Sequence, residues 1–124
     1  MAMKITISVD GALFEAEISD TTSGMAVQAA LPIESRIQTW GEEFYFESGL
    51  GLDLDETATK DVAVGDLCYW PEGDALCIFF GRTPASTSDK PVPYGPVNKL
   101  GNLIDDATRL KKMLKAKKIV LQKK

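Results

Sequence analysis

The sequence predicts a mainly-β domain, and three observations carry that prediction. Residues 4–18 alternate apolar and polar side chains about the turn pair Asp10-Gly11. Two further short apolar segments, Leu67 to Trp70 and Ala75 to Phe80, are bounded and divided by Gly and Pro. Helix-forming composition is confined to two short stretches, one before Pro32 and one after Asp105.

In chain order, Ile5, Ile7 and Val9 share one face of a first strand. Phe14, Ala16 and Ile18 share a face of the second, with Leu13, Glu15 and Glu17 opposed. Asp20 to Gly24 offers hydroxyl groups able to cap a helix over Met25 to Leu31, which Pro32 stops. This helix is expected to plug one end of the sheet. Ile33 to Gln38 reads as a strand. The Thr39-Trp40-Gly41-Glu42-Glu43 segment leads into the aromatic strand Phe44-Tyr45-Phe46, with Phe44 and Phe46 on one face and Glu43 and Tyr45 on the other.

Ser48 to Glu56 is glycine-rich and acidic, a solvated loop. Asp53, Asp55 and Glu56 lack the glycine and the terminal glutamate spacing of an EF-hand calcium loop. The central hairpin follows, its polar tip at Glu72-Gly73-Asp74, where Gly73 is free to take a positive φ. Leu76, Ile78 and Phe80 fall on one face of its second strand, and Cys77 and Phe79 on the other. Ala85 to Pro96 holds three prolines and a glycine and reads as a long ordered loop or crossover. Val97 to Ile104 is a last short strand or turn. Beyond it, Asp105-Asp106 can cap a helix whose Leu110, Met113 and Leu114 share a stripe, and Ile119-Val120-Leu121 reads either as a terminal strand or as more helix.

Composition bounds the function. Hydrophobic residues make up 44% of the chain and charged ones 26%, ordinary values for a soluble domain. At 124 residues it is long enough for one core. No apolar run approaches the ~20 residues of a membrane span, and no signal-peptide pattern opens the chain, so a cytoplasmic location is expected. The chain has no histidine, which excludes Ser-His and Cys-His nucleophile systems. Cys68 and Cys77 make a poor zinc set and read as buried small hydrophobes, although hairpin pairing brings them close. No metal and no cofactor is expected. The net charge of −4 is uneven: residues 1–104 carry six Lys/Arg against 16 Asp/Glu, and residues 105–124 eight against two. Nucleic acid is therefore expected to be repelled except at the basic tail.

The string Tyr69-Trp70-Pro71, Gly73, Ala75 to Gly81, Thr83-Pro84 and Ser86 resembles the small prokaryotic cyclophilin-like proteins. Leu31 to Ser35 and Trp40 to Phe46 also resemble that family's pattern, in the same order. The resemblance covers roughly residues 3–104. It implies a closed antiparallel β-barrel with one or two short capping helices, essentially complete near residue 104, so that residues 105–124 read as an added basic extension, helical by their own pattern. It also implies an apolar groove on one side of the barrel. In true cyclophilins that groove eases rotation about an X-Pro bond, with a cation near the imide favouring the twisted state.

Arg36 is the candidate cation, with Trp40, Tyr45 and Phe46 as a groove floor and Trp70, Ile78 and Phe80 as an opposite wall. The isomerases' glutamine-bearing strand motif and pocket histidine have no counterpart here. The expectation is thus a domain binding a proline-containing peptide or small molecule, with little or no isomerase activity. Alternatives are a weak prolyl isomerase using Arg36, and a tail that contacts nucleic acid or a partner protein. The bland readings also stand: Phe44, Phe46, Ile78, Phe79 and Phe80 as core, and Arg36 as an ion-pair partner of Glu34 or Glu43. Glu42-Glu43 makes a poor acid/base pair, because adjacent strand residues point to opposite faces.

Overall fold

A computed structural model describes residues 2–124. Its strands are β1 (Ala2–Val9), β2 (Ala12–Ser19), β3 (Ile33–Arg36), β4 (Gln38–Thr39), β5 (Glu43–Glu47), β6 (Asp66–Trp70), β7 (Ala75–Phe79), β8 (Asn98–Leu103) and β9 (Lys118–Lys123). All pair antiparallel in one sheet ordered β3-β9-β1-β2-β8-β6-β7-β5-β4. The two ends of that order, β3 and β4, are consecutive in the chain and separated only by Ile37. The first half of this bent strand pairs with β9 and the second half with β5. Ile37 still donates its N–H to Lys117 O at 2.8 Å, so the sheet rolls into a nearly closed barrel with few free edges.

Period-2 alternation fills the barrel. Ile5, Ile7 and Val9 meet Phe14, Ala16 and Ile18 inside, while Leu13 on the opposite face of β2 is 61% exposed. Phe44, Phe46, Leu76, Ile78 and Phe80 point inward from β5, β7 and the residue after it. The helix α1 (Thr22–Ala30) starts three residues earlier than the sequence predicts, because Thr21 caps it by accepting from Gly24 N–H at 3.1 Å. The acidic loop supplies the other caps. Asp55 accepts from Ser23 N–H at 2.8 Å and Glu56 from Thr22 N–H at 3.0 Å, which places negative charge at the positive helix end.

Strand β7 is buried on both faces, and β6 and β5 are partly covered on their outer face. On the outside, Val62, Cys68, Cys77, Phe79 and Val97 form a second apolar cluster beneath the connecting loops. Cys68 and Cys77 stand directly opposite one another as buried free thiols.

The helical tail expected over residues 105–124 is corrected by the structure, and residue 104 is not a structural boundary. Ala107–Lys112 is a 3-10 helix, capped by Asp106 accepting from Thr108 N–H at 3.0 Å. With three residues per turn, Ala107, Leu110 and Met113 face the barrel, and Leu114 is left 45% exposed. Lys118–Lys123 then becomes a barrel strand between β3 and β1, with Ile119 and Leu121 buried. The first hairpin turn anchors it: the Asp10 carboxylate accepts from Lys118 N–H at 2.9 Å, and Asp10 N–H donates to Lys118 O at 3.0 Å. Acidic neighbours answer the tail's charge, with Lys118 2.5 Å from Glu34 and Lys124 2.7 Å from Glu15.

Because β9 supplies partners to two strands, a chain ending at residue 104 is expected to show no cooperative thermal transition by circular dichroism. Leu121→Ala, at a fully buried position, is expected to cost about 2–5 kcal/mol in urea unfolding. A folded 1–104 fragment would contradict this account of closure.

Candidate functional site

The cavity of interest lies on the outer face of β5 and β6, not inside the barrel. Alternation on β5 sends Phe44 and Phe46 to the core and leaves Glu43 and Tyr45 facing outward. Trp70 ends β6, and its ring lies flat against Gly73. A Cβ on Gly73 would sit 2.4 Å from the indole, so this glycine is needed for space. The left-handed residue of the hairpin tip is instead Asp74 (φ 48), which replaces the expectation for Gly73. Its carboxylate accepts from the Tyr69 hydroxyl at 2.6 Å and from Gly51 N–H at 2.9 Å.

Trp40 is placed by a turn in which its N–H donates to Glu43 O at 2.9 Å. Gly41 takes φ +62 there, and a Cβ would strike Pro84 Cδ at 2.8 Å and Arg82 O at 2.9 Å. Tyr94 comes from the proline-rich loop. Buried Thr83 ties that loop by donating its hydroxyl to Val92 O at 2.6 Å, and Ser86 does so to Lys90 O at 2.8 Å.

Four aromatic rings therefore meet in a row, each steeply inclined to the next. Tyr45 and Trp70 have centroids 6.3 Å apart at 86°, Trp70 and Tyr94 5.6 Å at 69°, and Tyr94 and Trp40 5.9 Å at 73°. With Glu43 they line a cavity of about 200 Å³. Tyr94 is 70% exposed and forms its outer wall.

Glu43 is the unusual member. It is 5% exposed, and its Oε1 is buried without a hydrogen-bond partner. Burial pushes its carboxyl up to about 7, only partly offset by a hydrogen bond from the Cys77 thiol. Burial also raises both Cys68 and Cys77, so the thiols stay protonated beside it. The neighbouring Glu42 turns the other way, accepting from Arg82 N–H at 3.0 Å and lying 4.0 Å from Lys111. The two carboxyls therefore part, as strand geometry requires. Trp70 Nε1 is a second buried polar atom without a partner, close to Gly95.

Of the expected groove residues, the structure brings Trp40, Tyr45 and Trp70 together. Phe46, Ile78 and Phe80 are corrected: they lie at 0–1% exposure inside the barrel, because they have the opposite strand parity to Tyr45. Arg36 is not at this cavity either. It sits exposed on β3 opposite Lys118, and Glu34 is paired with that lysine. Arg82 lies 3.9 Å from Asp89, and Arg109 stacks over the Phe14 ring at 4.6 Å. Sequence reasoning missed Glu43 and Tyr94 as cavity residues. The signal for Glu43 was its shared parity with Tyr45; nothing local marked Tyr94.

A nearly closed antiparallel barrel with a compact lateral pocket is the class of protein these features define. The chain belongs to the cyclophilin-like family, whose model matches residues 3–122. The solution structure of the hypothetical protein AF2241 from Archaeoglobus fulgidus is similar, with a TM-score of 0.80 and 30% sequence identity. The match covers 99% of this chain and 95% of that one. No curated protein matches the chain. Among the described residues, no helix is long and apolar enough to cross a membrane.

Two measurements test the site. The unfolded chain releases the Glu43 proton near 4.5, whereas the folded protein holds it to about 7. The folded state thus binds more protons between these values, and stability falls as pH rises, levelling above 7. Glu43→Gln removes this loss. Its stability relative to wild type is expected to improve by roughly 2–3 kcal/mol from pH 5 to pH 8 in urea unfolding; a constant difference would mean an ordinary carboxyl. Separately, Gly73→Ala is expected to displace the Trp70 ring, changing near-ultraviolet circular dichroism while the far-ultraviolet spectrum holds.

Proposed function

We propose that this protein is a ligand-binding domain whose site is the aromatic cavity, and that it does not accelerate prolyl isomerisation. The observation that carries the reading is the wall of Trp40, Tyr45, Trp70 and Tyr94 around a buried carboxyl. Such a lining suits a small apolar or aromatic-stacking group held by few polar contacts. Catalysis of imide rotation asks for positive charge beside the twisted bond. This cavity offers an acidic group instead, and Arg36, Arg82 and Arg109 are engaged or exposed elsewhere.

Aromatic walls also accept a proline ring, so a proline-containing peptide is the first probe. An amide NMR titration with a short Ala-Pro peptide, combined with exchange spectroscopy on the peptide, tests the reading. Shifts are expected at Tyr45, Trp70 and Tyr94, with the cis/trans exchange rate unchanged. Accelerated exchange that Arg36→Ala abolishes would overturn the non-catalytic assignment in favour of a weak isomerase.

A further inference from the structure

Resting on the cavity as the ligand site, we propose that its occupant is an alkylated ammonium group, with the Glu43 carboxylate as counter-ion and the four aromatic rings as walls. The argument begins with what the cavity lacks. Its lining is Trp40, Glu43, Tyr45, Trp70 and Tyr94, and no lysine or arginine among the described residues lines it. No cation among the described lining residues answers the charge of a buried Glu43. Its Oε1 is aimed at no donor, although buried carboxylate oxygens are ordinarily hydrogen-bonded. A carboxyl kept in such a place is matched by a positive group that arrives from outside.

The walls select the kind of cation. Four rings line the cavity with neighbouring centroids 5.6–6.3 Å apart, and a cation within ~6 Å of a ring face is attracted to it. A bare ammonium would bring three N–H donors, each needing an acceptor. Of the lining residues, only Glu43 and the phenol oxygens of Tyr45 and Tyr94 carry side-chain acceptors, and the Tyr45 hydroxyl is tied to Gln38 Oε1 at 3.2 Å, so three donors cannot all be met by a carboxylate. Unpaired donors in a desolvated site are costly. Alkylation removes the donors and presents methyl groups, polarised by the charge, to the rings. A quaternary head group leaves none unpaired, and a tertiary one has a single N–H for Oε1.

Size agrees. A cavity of about 200 Å³ exceeds the ~150 Å³ that holds one benzene ring. It admits one head group of that size.

Binding is expected to be linked to pH through Glu43. The Cys77 thiol bonds to it from β7, and the Cys68 thiol stands across from Cys77 on β6. The phenols of Tyr45 and Tyr94 share the cavity, and Glu42 beside it is held by Arg82 N–H and Lys111. A cation favours the ionised carboxyl and so displaces the proton that Glu43 otherwise holds to about 7.

The test is a titration of the intact protein with choline and with its neutral carbon isostere, in which a tert-butyl group replaces the trimethylammonium. Indole fluorescence and the indole N–H resonances of Trp40 and Trp70 report occupancy. Choline is expected to bind at least tenfold more tightly than the isostere at pH 8, and about tenfold more weakly at pH 6 than at pH 8. Glu43→Gln is expected to bring choline down to the isostere's affinity. Tyr94→Ala, at a largely exposed position, is expected to weaken choline by between about twofold and thirtyfold.

A trimethyllysine peptide run beside choline distinguishes a side-chain source from a free small molecule, and tighter binding of either upholds the proposal. Equal binding of choline and isostere overturns it while leaving the cavity a ligand site. Binding of neither also overturns it, and the Ala-Pro titration then decides separately whether the cavity takes a ligand at all.

Discussion

The barrel depends on one bent strand shared between two partners. At Ile37 the chain leaves β9 and joins β5, so a single short segment supplies both closing ladders of the sheet. A strand with unpaired edges exposes backbone donors and acceptors, and closing the sheet satisfies them within the molecule. The bend works only if β9 is already in place, since Ile37 N–H, Ser35 and Arg36 all find their partners there. β9 in turn is registered by Asp10, whose carboxylate receives the first N–H groups of the strand. The N-terminal hairpin turn and the C-terminal strand, more than 100 residues apart, thus form one device.

That closure fixes where a pocket can exist. The inside of the barrel is filled by aliphatic and aromatic side chains, and its buried polar groups Tyr69 and Asn98 are already hydrogen-bonded, to Asp74 and to Ser23. The outer face of β5, β7 and β6 is different, because two long connections cross it and enclose a second, smaller cluster. The cavity forms where that cover is incomplete, between Trp40 from one turn and Tyr94 from the other loop. Close backbone approaches hold two of the rings in place, Gly73 under Trp70 and Gly41, in the turn that carries Trp40, against the Arg82–Pro84 segment. Rigid placement of large side chains limits the ordering that a ligand must impose on binding.

Much of the barrel was legible from period-2 alternation, which grouped Phe14 with Ala16 and Ile18, Phe44 with Phe46, and Leu76 with Ile78 and Phe80. These are the faces the structure turns inward, but alternation did not say which face is inside. The family resemblance was legible as well, because the apolar run Ala75 to Phe80 with its flanks is unusually long. The tail was misjudged for a physical reason. Lysines flank Ile119-Val120-Leu121 on both sides, and a basic segment with apolar residues three and four apart fits a helical pattern as readily as a strand. Only the open edge of β1 decides between them, and that edge is a long-range property. The site was half legible. Trp40, Tyr45 and Trp70 could be chosen as amphipathic aromatics, but grouping Phe46 with Tyr45 ignored that neighbours on a strand face apart. Tyr94 depends on the Thr83 and Ser86 hydrogen bonds that shape its loop, which no local pattern announces.

Glu43 links these strands of argument. Placing a carboxyl at 5% exposure beside two thiols and four aromatic rings lowers stability above the pH where the unfolded chain ionises. A glutamine or an apolar residue at the same position would fold at less cost. Buried polar atoms without partners concentrate where a protein does something other than fold. Here the orphan oxygen, the aromatic walls and the missing guanidinium fall in one place, on a face of the barrel where loops leave room. The fold accounts for the rings and the turn that carry them; it gives no reason of its own for the carboxylate.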